Sequence, residues 1–144
     1  MNWMILPLKR YADFQGRSRR KEYWMYMLLY VIVFAVLYGA MFAMLPKMPA
    51  AGPDGTIDPA ALQGAMSGGL SIVGILIGVV ALGILVPSLA VVVRRLHDQD
   101  KSGWFILLGL IPAVGGLILL VFMLMDGTHG PNRFGPDSKE TYPD

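Results

Sequence analysis

One stretch of this chain has a histidine among charged residues, and its side chains are the ones best suited to catalysis or metal binding. His97 is followed directly by Asp98, and Asp100 lies two residues further on. One imidazole and two carboxylates could coordinate a divalent cation or act as an acid–base pair. A metal site usually needs three or four ligands, and the chain has only one other histidine, His129. We therefore predict no metal, no cofactor and no catalytic residues.

Composition indicates what must position these residues. Hydrophobic residues make up 55% of the 144 residues and charged residues only 15%, with a mean hydropathy of +0.55. A typical soluble chain has about 25% charged residues. A chain with so few charged residues cannot cover the surface of a folded protein with polar groups. The composition therefore predicts that a lipid bilayer is the solvent. The chain has no cysteine, which excludes disulfides and thiolate metal sites.

Three uncharged segments are long enough to cross a bilayer as helices, which takes about 20 apolar residues. They run over residues 23–45, 70–93 and 104–125 and contain no Asp, Glu, Lys, Arg or His. The predicted fold class is an all-α membrane protein with three transmembrane helices, a short interfacial helix near the N-terminus and a turn-rich C-terminal tail. We predict one membrane domain over residues 1–138 and a disordered tail over residues 139–144.

The basic residues predict the orientation of these spans. Six Lys and Arg precede the first span, one lies in the first loop, three follow the second span and two follow the third. Since cytoplasmic flanks carry the excess of Lys and Arg, the N-terminus is predicted to be cytoplasmic and the C-terminus periplasmic or external. A re-entrant third segment broken near Pro112 would return the tail to the cytoplasm. Each arm would have about 10 residues, too short to span, so we expect three spans.

The charged stretch after the second span also has a purely structural interpretation. Arg94 and Arg95 would mark the membrane surface, and Asp98 could pair with either of them on a helix. Asp100 or Ser102 could cap the third span. The basic N-terminal flank could bind anionic lipids, at about 1 kcal/mol for each Lys or Arg near the surface.

Small residues spaced by four occur in all three predicted spans. Such spacing lets helix backbones approach closely in lipid. We therefore predict helix-packing positions, within or between protomers, at Ala35, Gly39, Ala43, Gly74, Gly78, Gly109 and Ala113.

Three short motifs resemble those of a known family. The N-terminal motif, Phe14 to Trp24, is similar to the pattern F-x-G-R-x-x-R-x-E-Y-W. The central motif is Arg94-Arg95-Leu96-His97-Asp98, followed by Ser102 and Trp104. The C-terminal motif, Asn132 to Asp137, is similar to N-R-F-G-P-D-P, with Ser138 in place of the last proline. In this order they resemble the small bacterial inner-membrane proteins of the YhaH/YhaI type, or domain of unknown function 805.

The resemblance implies a bacterial inner-membrane location and the three-helix plan, but no activity. Basic residues alone would be enough to fix the orientation of a membrane span, and a His followed by an Asp is not needed for that. The family pattern therefore indicates that His97 and Asp98 make defined contacts. We predict a cytoplasmic polar cluster of Arg17, Arg20, Glu22, Arg94, Arg95, His97 and Asp98. The candidate residues of the C-terminal motif are Asn132, Arg133, Phe134 and Gly135.

The favoured function is that of a non-enzymatic scaffold or of a regulatory or interaction subunit. One alternative is an oligomeric channel or small-solute permeation protein. Another is binding of a lipid head group or metal at the cytoplasmic face through His97 and Asp98. The predicted partners are the bilayer, including anionic lipids, and a second copy of the chain or another membrane protein. No nucleic acid partner is predicted.

Overall fold

The structure is a computed structural model that describes residues 2–43 and 49–141, with the backbone alone for residues 65–73 and 141. All regular elements in these ranges are helical, as the composition predicts. Contacts divide the chain into two units, each treated separately below. The motif unit is Met1–Leu29 with Ile84–Asp144, and the apolar unit is Tyr30–Gly83.

A short helix precedes the first long apolar helix. Helix α1 is the single turn Leu6–Lys9, with a proline in its first turn. Gly16, at a φ of +77°, makes a turn between α1 and α2 that suits a residue without a side chain. Helix α2 runs over Arg20–Ala43 and contains the first predicted span up to residue 43; residues 44 and 45 lie outside the described ranges.

Helix α3 covers Pro59–Asp98 and extends beyond the predicted second span at both ends. Its start is capped because Asp58 Oδ1 accepts a hydrogen bond from the backbone N–H of Ala60 at 2.9 Å. Its end has the hydrogen bonds of a Schellman motif, in which Asp100 N donates to His97 O and Lys101 N donates to Leu96 O. Asp100 has the left-handed φ of +57° that this motif requires.

The predicted third span, residues 104–125, is not one continuous helix. A 3₁₀ helix occupies Gly103–Leu110, a turn follows, and helix α4 occupies Gly115–Leu124. The two arms contact each other closely, and the rings of Phe105 and Phe122 meet edge to face at 6.0 Å. We call the segment from Gly103 to Leu124 the hairpin.

The turn of the hairpin has local causes in the sequence. Pro112 has no N–H to donate within a helix, and Ala113 adopts a left-handed φ of +65°. Gly115 packs against the carbonyl of Leu108, where a Cβ atom would overlap the oxygen. Ser102 begins the hairpin, since its side chain accepts a hydrogen bond from Trp104 N.

A small apolar core holds the elements of the motif unit together. It contains Tyr23 and Tyr26 from α2, Val91 and Leu96 from α3, and Met123 from α4. The hydroxyl of Tyr26 also lies 3.0 Å from Ser88 Oγ, beside the buried Pro87 of α3. These contacts bring the start of α2, the end of α3 and the hairpin to one place.

Within the described part of the chain, two helical segments are long and apolar enough to cross a membrane, namely Arg20–Ala43 and Gly74–Asp98. At 1.5 Å per residue each is about 36 Å long, enough for a hydrocarbon core of about 30 Å. Helix α4 is apolar but shorter. Many large apolar side chains on these segments are exposed, as a lipid solvent requires.

The C-terminal residues form a short helix where a disordered tail is predicted. Helix α5 is Ser138–Thr141, and residues 142–144 lie outside the described ranges. Asp137 caps α5, because its Oδ1 accepts a hydrogen bond from Lys139 N at 2.9 Å.

Candidate functional site

Asp98 lies at the centre of a buried group of charged side chains. Its Oδ1 accepts hydrogen bonds from Arg17 Nε at 2.9 Å and Ser138 Oγ at 2.7 Å, and its Oδ2 accepts one from Arg95 Nη1 at 2.6 Å. The side chains of Arg17, Asp98 and Arg95 are 2%, 4% and 0% exposed. Both oxygens of this buried carboxylate thus accept hydrogen bonds, from arginines and from a hydroxyl group. Hydrogen bonds to a charged group are strong, and those in the protein interior are stronger than those in water.

Arg17 connects the N-terminal motif to the central motif and to the chain just before the C-terminal motif. Besides its bond to Asp98, its Nη1 donates to Gly130 O at 2.7 Å and its Nη2 donates to Thr128 O at 2.6 Å. A guanidinium presents five N–H donors in a planar fork, which suits contacts to several acceptors at once. One residue of the N-terminal motif therefore binds both the end of α3 and the chain leading into the C-terminal motif.

The same chain segment caps the end of α3. The last carbonyls of a helix lack partners within the helix. Here Asp98 O accepts from Thr128 N at 2.8 Å, and His97 O accepts from Asn132 Nδ2 at 2.9 Å. Arg133 binds Asp100 through both its main-chain and side-chain oxygens. The C-terminal motif therefore closes the helix end that carries the central motif.

A second buried ion pair lies between α2 and α3. Arg94 Nη2 is 3.4 Å from Glu22 Oε1, and both side chains are fully buried. Two ions removed from water at this point need each other, since either one alone would be an uncompensated buried charge. Arg94 therefore pairs with Glu22, and not with Asp98 as helical spacing alone would allow.

The hairpin is joined to these charges at the end of α4. Arg95 Nη2 donates to Met125 O, and Gln99 Nε2 donates to Phe122 O. Arg20 forms an ion pair with Asp126 at 2.7 Å, but both side chains are about half exposed. Arginines of the N-terminal and central motifs thus both bind the chain at the end of α4.

His97 makes contacts within the protein. Its ring stacks on Phe134 with centroids 3.8 Å apart and an interplanar angle of 5°. Its Nδ1 lies 3.3 Å from the carbonyl of Gly16. Across residues 2–43 and 49–141, His, Asp and Glu side chains do not gather in a group of three that could hold a metal ion. Asp98 and Asp100, the other side chains considered as possible ligands, are engaged with arginines.

The predicted cluster residues are therefore found together, along with residues that the prediction omitted. We call the buried set, together with the half-buried His97, the motif cluster. It consists of Arg17, Glu22, Arg94, Arg95, His97, Asp98 and Ser138. Arg20, the remaining predicted member, lies at its exposed edge.

The C-terminal motif lies against the other two motifs, whereas the three-span prediction placed it across the membrane from them. Three continuous spans would separate this motif from the other two by the thickness of the membrane. The contacts of Arg17 with Thr128 and Gly130, and of Asp98 with Ser138, place it directly against them. The hairpin causes this contact, because it starts after α3 and returns the chain to the end of α3.

The predicted helix-packing positions divide into two groups. At Gly109 a Cβ atom would lie 3.1 Å from Leu119 Cδ1, so this residue is at a close contact inside the hairpin, and Ala113 is in its turn. In the apolar unit, a Cβ atom at Gly39, Gly74 or Gly78 would meet no heavy atom within 4 Å. Ala35 and Ala43 are exposed as well. Packing between protomers at these positions stays a prediction.

Asp126, Gly127 and Ser138 were not predicted as site residues. A Cβ atom at Gly127 would overlap the carboxylate of Asp98, so the backbone itself covers this side chain. Asp137 links the C-terminal motif internally, since its Oδ2 accepts from Gly130 N at 2.9 Å. Its hydrogen bond from Lys139 N is the main cause that lowers the pKa of Asp137. The one sequence signal for these residues was their place in or beside the C-terminal motif.

Comparisons with known proteins agree with the three motifs. The profile of the family described as "Protein of unknown function (DUF805)" matches residues 11–136. The inner membrane protein YhaH of Escherichia coli K12 is 41% identical over 139 residues, covering 96% of this chain and 98% of the relative. The inner membrane protein YhaI of the same organism is 37% identical, covering 96% and 97%. No solved structure matches.

Proposed function

We propose that this chain, which belongs to the DUF805 family of unknown function, is a non-enzymatic scaffold of the bacterial inner membrane. Its inner-membrane location follows from its relatives and its apolar helices. The observation that carries the scaffold role is the engagement of both carboxylate oxygens of Asp98 by arginines and a serine. The carboxylate of Asp98, which could otherwise act in catalysis or metal binding, thus serves to hold the protein together.

The membrane arrangement we propose has two spans and one re-entrant hairpin. At about 2.0 Å per residue the 3₁₀ arm of eight residues is about 16 Å long, and α4 with ten residues is about 15 Å long. Each is close to half of a hydrocarbon core of about 30 Å. The hairpin would enter one leaflet and return, with exposed Leu110, Val114 and Leu117 facing lipid.

The distribution of basic residues supports this arrangement more strongly than three spans. With the tail on the side of the N-terminus, 11 of the 12 Lys and Arg residues share one side and Lys47 alone is on the other. The positive-inside rule then makes both termini cytoplasmic. The proposed position of the C-terminus is thus opposite to the one that three spans implied.

The scaffold would bind a second copy of the chain through the apolar unit. Gly39, Gly74 and Gly78 leave the backbone of their helices open to close approach by another helix. In lipid, such contacts between small residues favour association without any need for polar groups.

Native mass spectrometry of the protein extracted from its own membrane tests this role. We expect an assembly of more than one copy that Gly39→Leu disrupts. Gly116→Leu is the matched control, because Gly116 also has open space around it but belongs to the hairpin. A monomeric wild-type protein would contradict the proposal. Solute flux through liposomes that contain only this protein, absent from protein-free liposomes, would favour a permeation path instead.

A further inference from the structure

A cavity that opens to the surface lies between the end of α3 and the start of the hairpin. Its volume is about 400 Å³, and sites for small organic molecules usually measure about 300–1,000 Å³. Its lining comes from the motif unit alone and combines apolar side chains with the imidazole of His97 and the hydroxyl of Ser102. We propose that this cavity binds the hydroxylated ring of a membrane quinol, with His97 Nε2 as the hydrogen-bond acceptor.

The imidazole of His97 presents an acceptor to the cavity. Its Nδ1 lies 3.3 Å from the carbonyl oxygen of Gly16, which can only accept, so the proton of a neutral ring belongs on Nδ1. The lone pair is then on Nε2. A Cβ atom placed on Gly103, which also lines the cavity, would be 3.3 Å from this nitrogen. Within residues 2–43 and 49–141 no hydrogen bond occupies Nε2, so it is available to a hydroxyl group of a ligand.

Ser102 supplies a donor to the same cavity. Its Oγ accepts a hydrogen bond from Trp104 N at 3.4 Å, which leaves the hydroxyl hydrogen for a ligand. A donor and an acceptor side by side suit a hydroxyl group, because a hydroxyl can both accept and donate. Among the described residues, no Lys, Arg, Asp or Glu lines the cavity. A phosphate or an ammonium group would find no counter-ion there, so a neutral head group is favoured.

Aromatic side chains favour a flat ring over a glycerol head group. Phe14 and Trp104 line the cavity and are 40% and 78% exposed, so part of each ring is available for contact. Stacked or edge-to-face rings attract each other beyond what the burial of their apolar area contributes. The ring of His97 is held by Phe134, which stacks on one of its faces. A quinol joins a hydroxylated flat ring of this kind to an apolar tail.

A second cavity provides a place for the apolar tail. It measures about 350 Å³ and is lined along the 3₁₀ arm of the hairpin by Phe105, Leu107 and Leu108. Ser102 and Trp104 line both cavities, so the two adjoin. The ring site follows from these contacts and does not depend on the scaffold role. Only the depth of the tail in one leaflet rests on the proposed re-entrant hairpin.

Calorimetric titration of decylubiquinol into the detergent-solubilised protein tests the site. The titration is done without oxygen at pH 8, where an imidazole is mostly neutral. The oxidised form, decylubiquinone, has carbonyl oxygens that cannot donate to His97 Nε2. We expect it to bind about fivefold more weakly than the quinol, for the loss of one hydrogen bond. Failure of the quinol to bind, or equal or tighter binding of the quinone, would overturn the proposal.

The variant His97→Phe separates the acceptor from the ring that carries it. Phenylalanine can still stack on Phe134 but cannot accept a hydrogen bond. The fivefold preference for the reduced form should therefore disappear in this variant, an effect that a purely structural role of His97 would not produce. A preference that survives His97→Phe would overturn the assignment of Nε2 as the acceptor.

The variant Trp104→Ala tests the aromatic wall with a side chain that contributes little to folding. Trp104 and Leu110 are each 78% exposed on the same 3₁₀ arm, and of the two Trp104 alone lines the cavities. We expect Trp104→Ala to weaken binding of decylubiquinol by about fivefold or more. The matched control Leu110→Ala should leave the affinity unchanged, and equal losses in the two variants would overturn the site.

Dioctanoylglycerol is the competing occupant, since it is neutral and has a hydroxyl group and apolar tails but no ring. We expect it to bind the wild-type protein more weakly than decylubiquinol and to be insensitive to Trp104→Ala. Binding of dioctanoylglycerol as tight as that of the quinol would overturn the identification of the ligand as a quinol.

Discussion

The two units of this chain are both rich in apolar helix but differ in what surrounds their side chains. Among the described residues of the motif unit six charged side chains are buried, including Arg17, Glu22 and Asp98. In the apolar unit none of the described side chains is buried, and Val36, Phe42 and Leu82 are 66%, 66% and 71% exposed. The motif unit is thus held by contacts within the protein, and the apolar unit depends on its lipid solvent.

This difference shows where sequence specificity is needed. Buried ions require partners at defined positions, and removing one partner strands the other. An apolar side chain that faces lipid needs only to be apolar, since lipid tails resemble it. Substitutions should therefore be costly for folding in the motif unit and nearly neutral in the apolar unit, apart from the proposed contact positions Gly39, Gly74 and Gly78.

The largest expected effect is that of Asp98→Ala. It leaves Arg17 and Arg95 buried without their carboxylate, which should lower the free energy of unfolding by about 3–5 kcal/mol. Denaturant-induced unfolding in detergent, followed by circular dichroism, measures this. Asp54→Ala in the apolar unit is the control, with an expected change of about 0.5 kcal/mol or less. Similar losses in the two variants would remove the distinction between the units.

Gly127→Ala should have the next largest effect. Its Cβ would overlap the carboxylate of Asp98, and overpacking of this kind typically costs about 1–3 kcal/mol. Gly83→Ala, in open space within the apolar unit and outside the proposed contact positions, should leave the free energy of unfolding unchanged or raise it. The thermal midpoints of the two variants in detergent provide the measurement, and a loss confined to Gly83→Ala would be opposite to our expectation.

Ser138→Ala tests the contact of the C-terminal residues with Asp98. The lost hydroxyl bond of 2.7 Å has a charged, buried acceptor, so about 1.5 kcal/mol or slightly more should be lost. Thr56→Ala removes hydroxyl bonds of 2.8 Å to a carboxylate that is exposed, in the apolar unit, and should cost less. Chemical denaturation measures the free energy of unfolding lost in each variant. Equal losses would argue that burial of the acceptor does not strengthen the Ser138 hydrogen bond.

The smallest expected effect concerns acid sensitivity. The pKa of Asp137 is lowered in the folded protein, so its contribution to stability is present above the unfolded pKa of about 3.9. That contribution is lost as the pH falls below this value through the folded pKa. The free energy of unfolding should therefore fall less between pH 5 and pH 3 in Asp137→Asn than in the wild type. Identical slopes would contradict a role for its hydrogen bonds.

The sequence predicts the apolar helices well but not the hairpin. Absence of charge and sufficient length identify α2 and most of α3. The same two criteria favour a third span over residues 104–125, although Pro112 and the following glycines indicate a break. What decides the outcome is tertiary, since Gly115 packs on the carbonyl of Leu108 and arginines of two motifs bind the end of α4.

The sequence predicts most residues of the motif cluster, but it predicts less well which of them form ion pairs with each other. Helical spacing predicts Arg95 beside Asp98, and the two are 2.6 Å apart. The same spacing allows Arg94 to pair with Asp98, yet Arg94 meets Glu22 from another helix. The contact of Ser138 joins residues 40 positions apart, which no local pattern indicates.

Cysteine labelling measures most directly whether the three motifs share one side of the membrane. The chain has no cysteine, so single residues can be introduced without background. Gln15→Cys, Ala51→Cys and Glu140→Cys place one thiol before α2, one between α2 and α3, and one in α5. With a membrane-impermeant maleimide, positions 15 and 140 should react only in inside-out vesicles and position 51 only in intact spheroplasts. Reaction of position 140 together with position 51 would contradict the account.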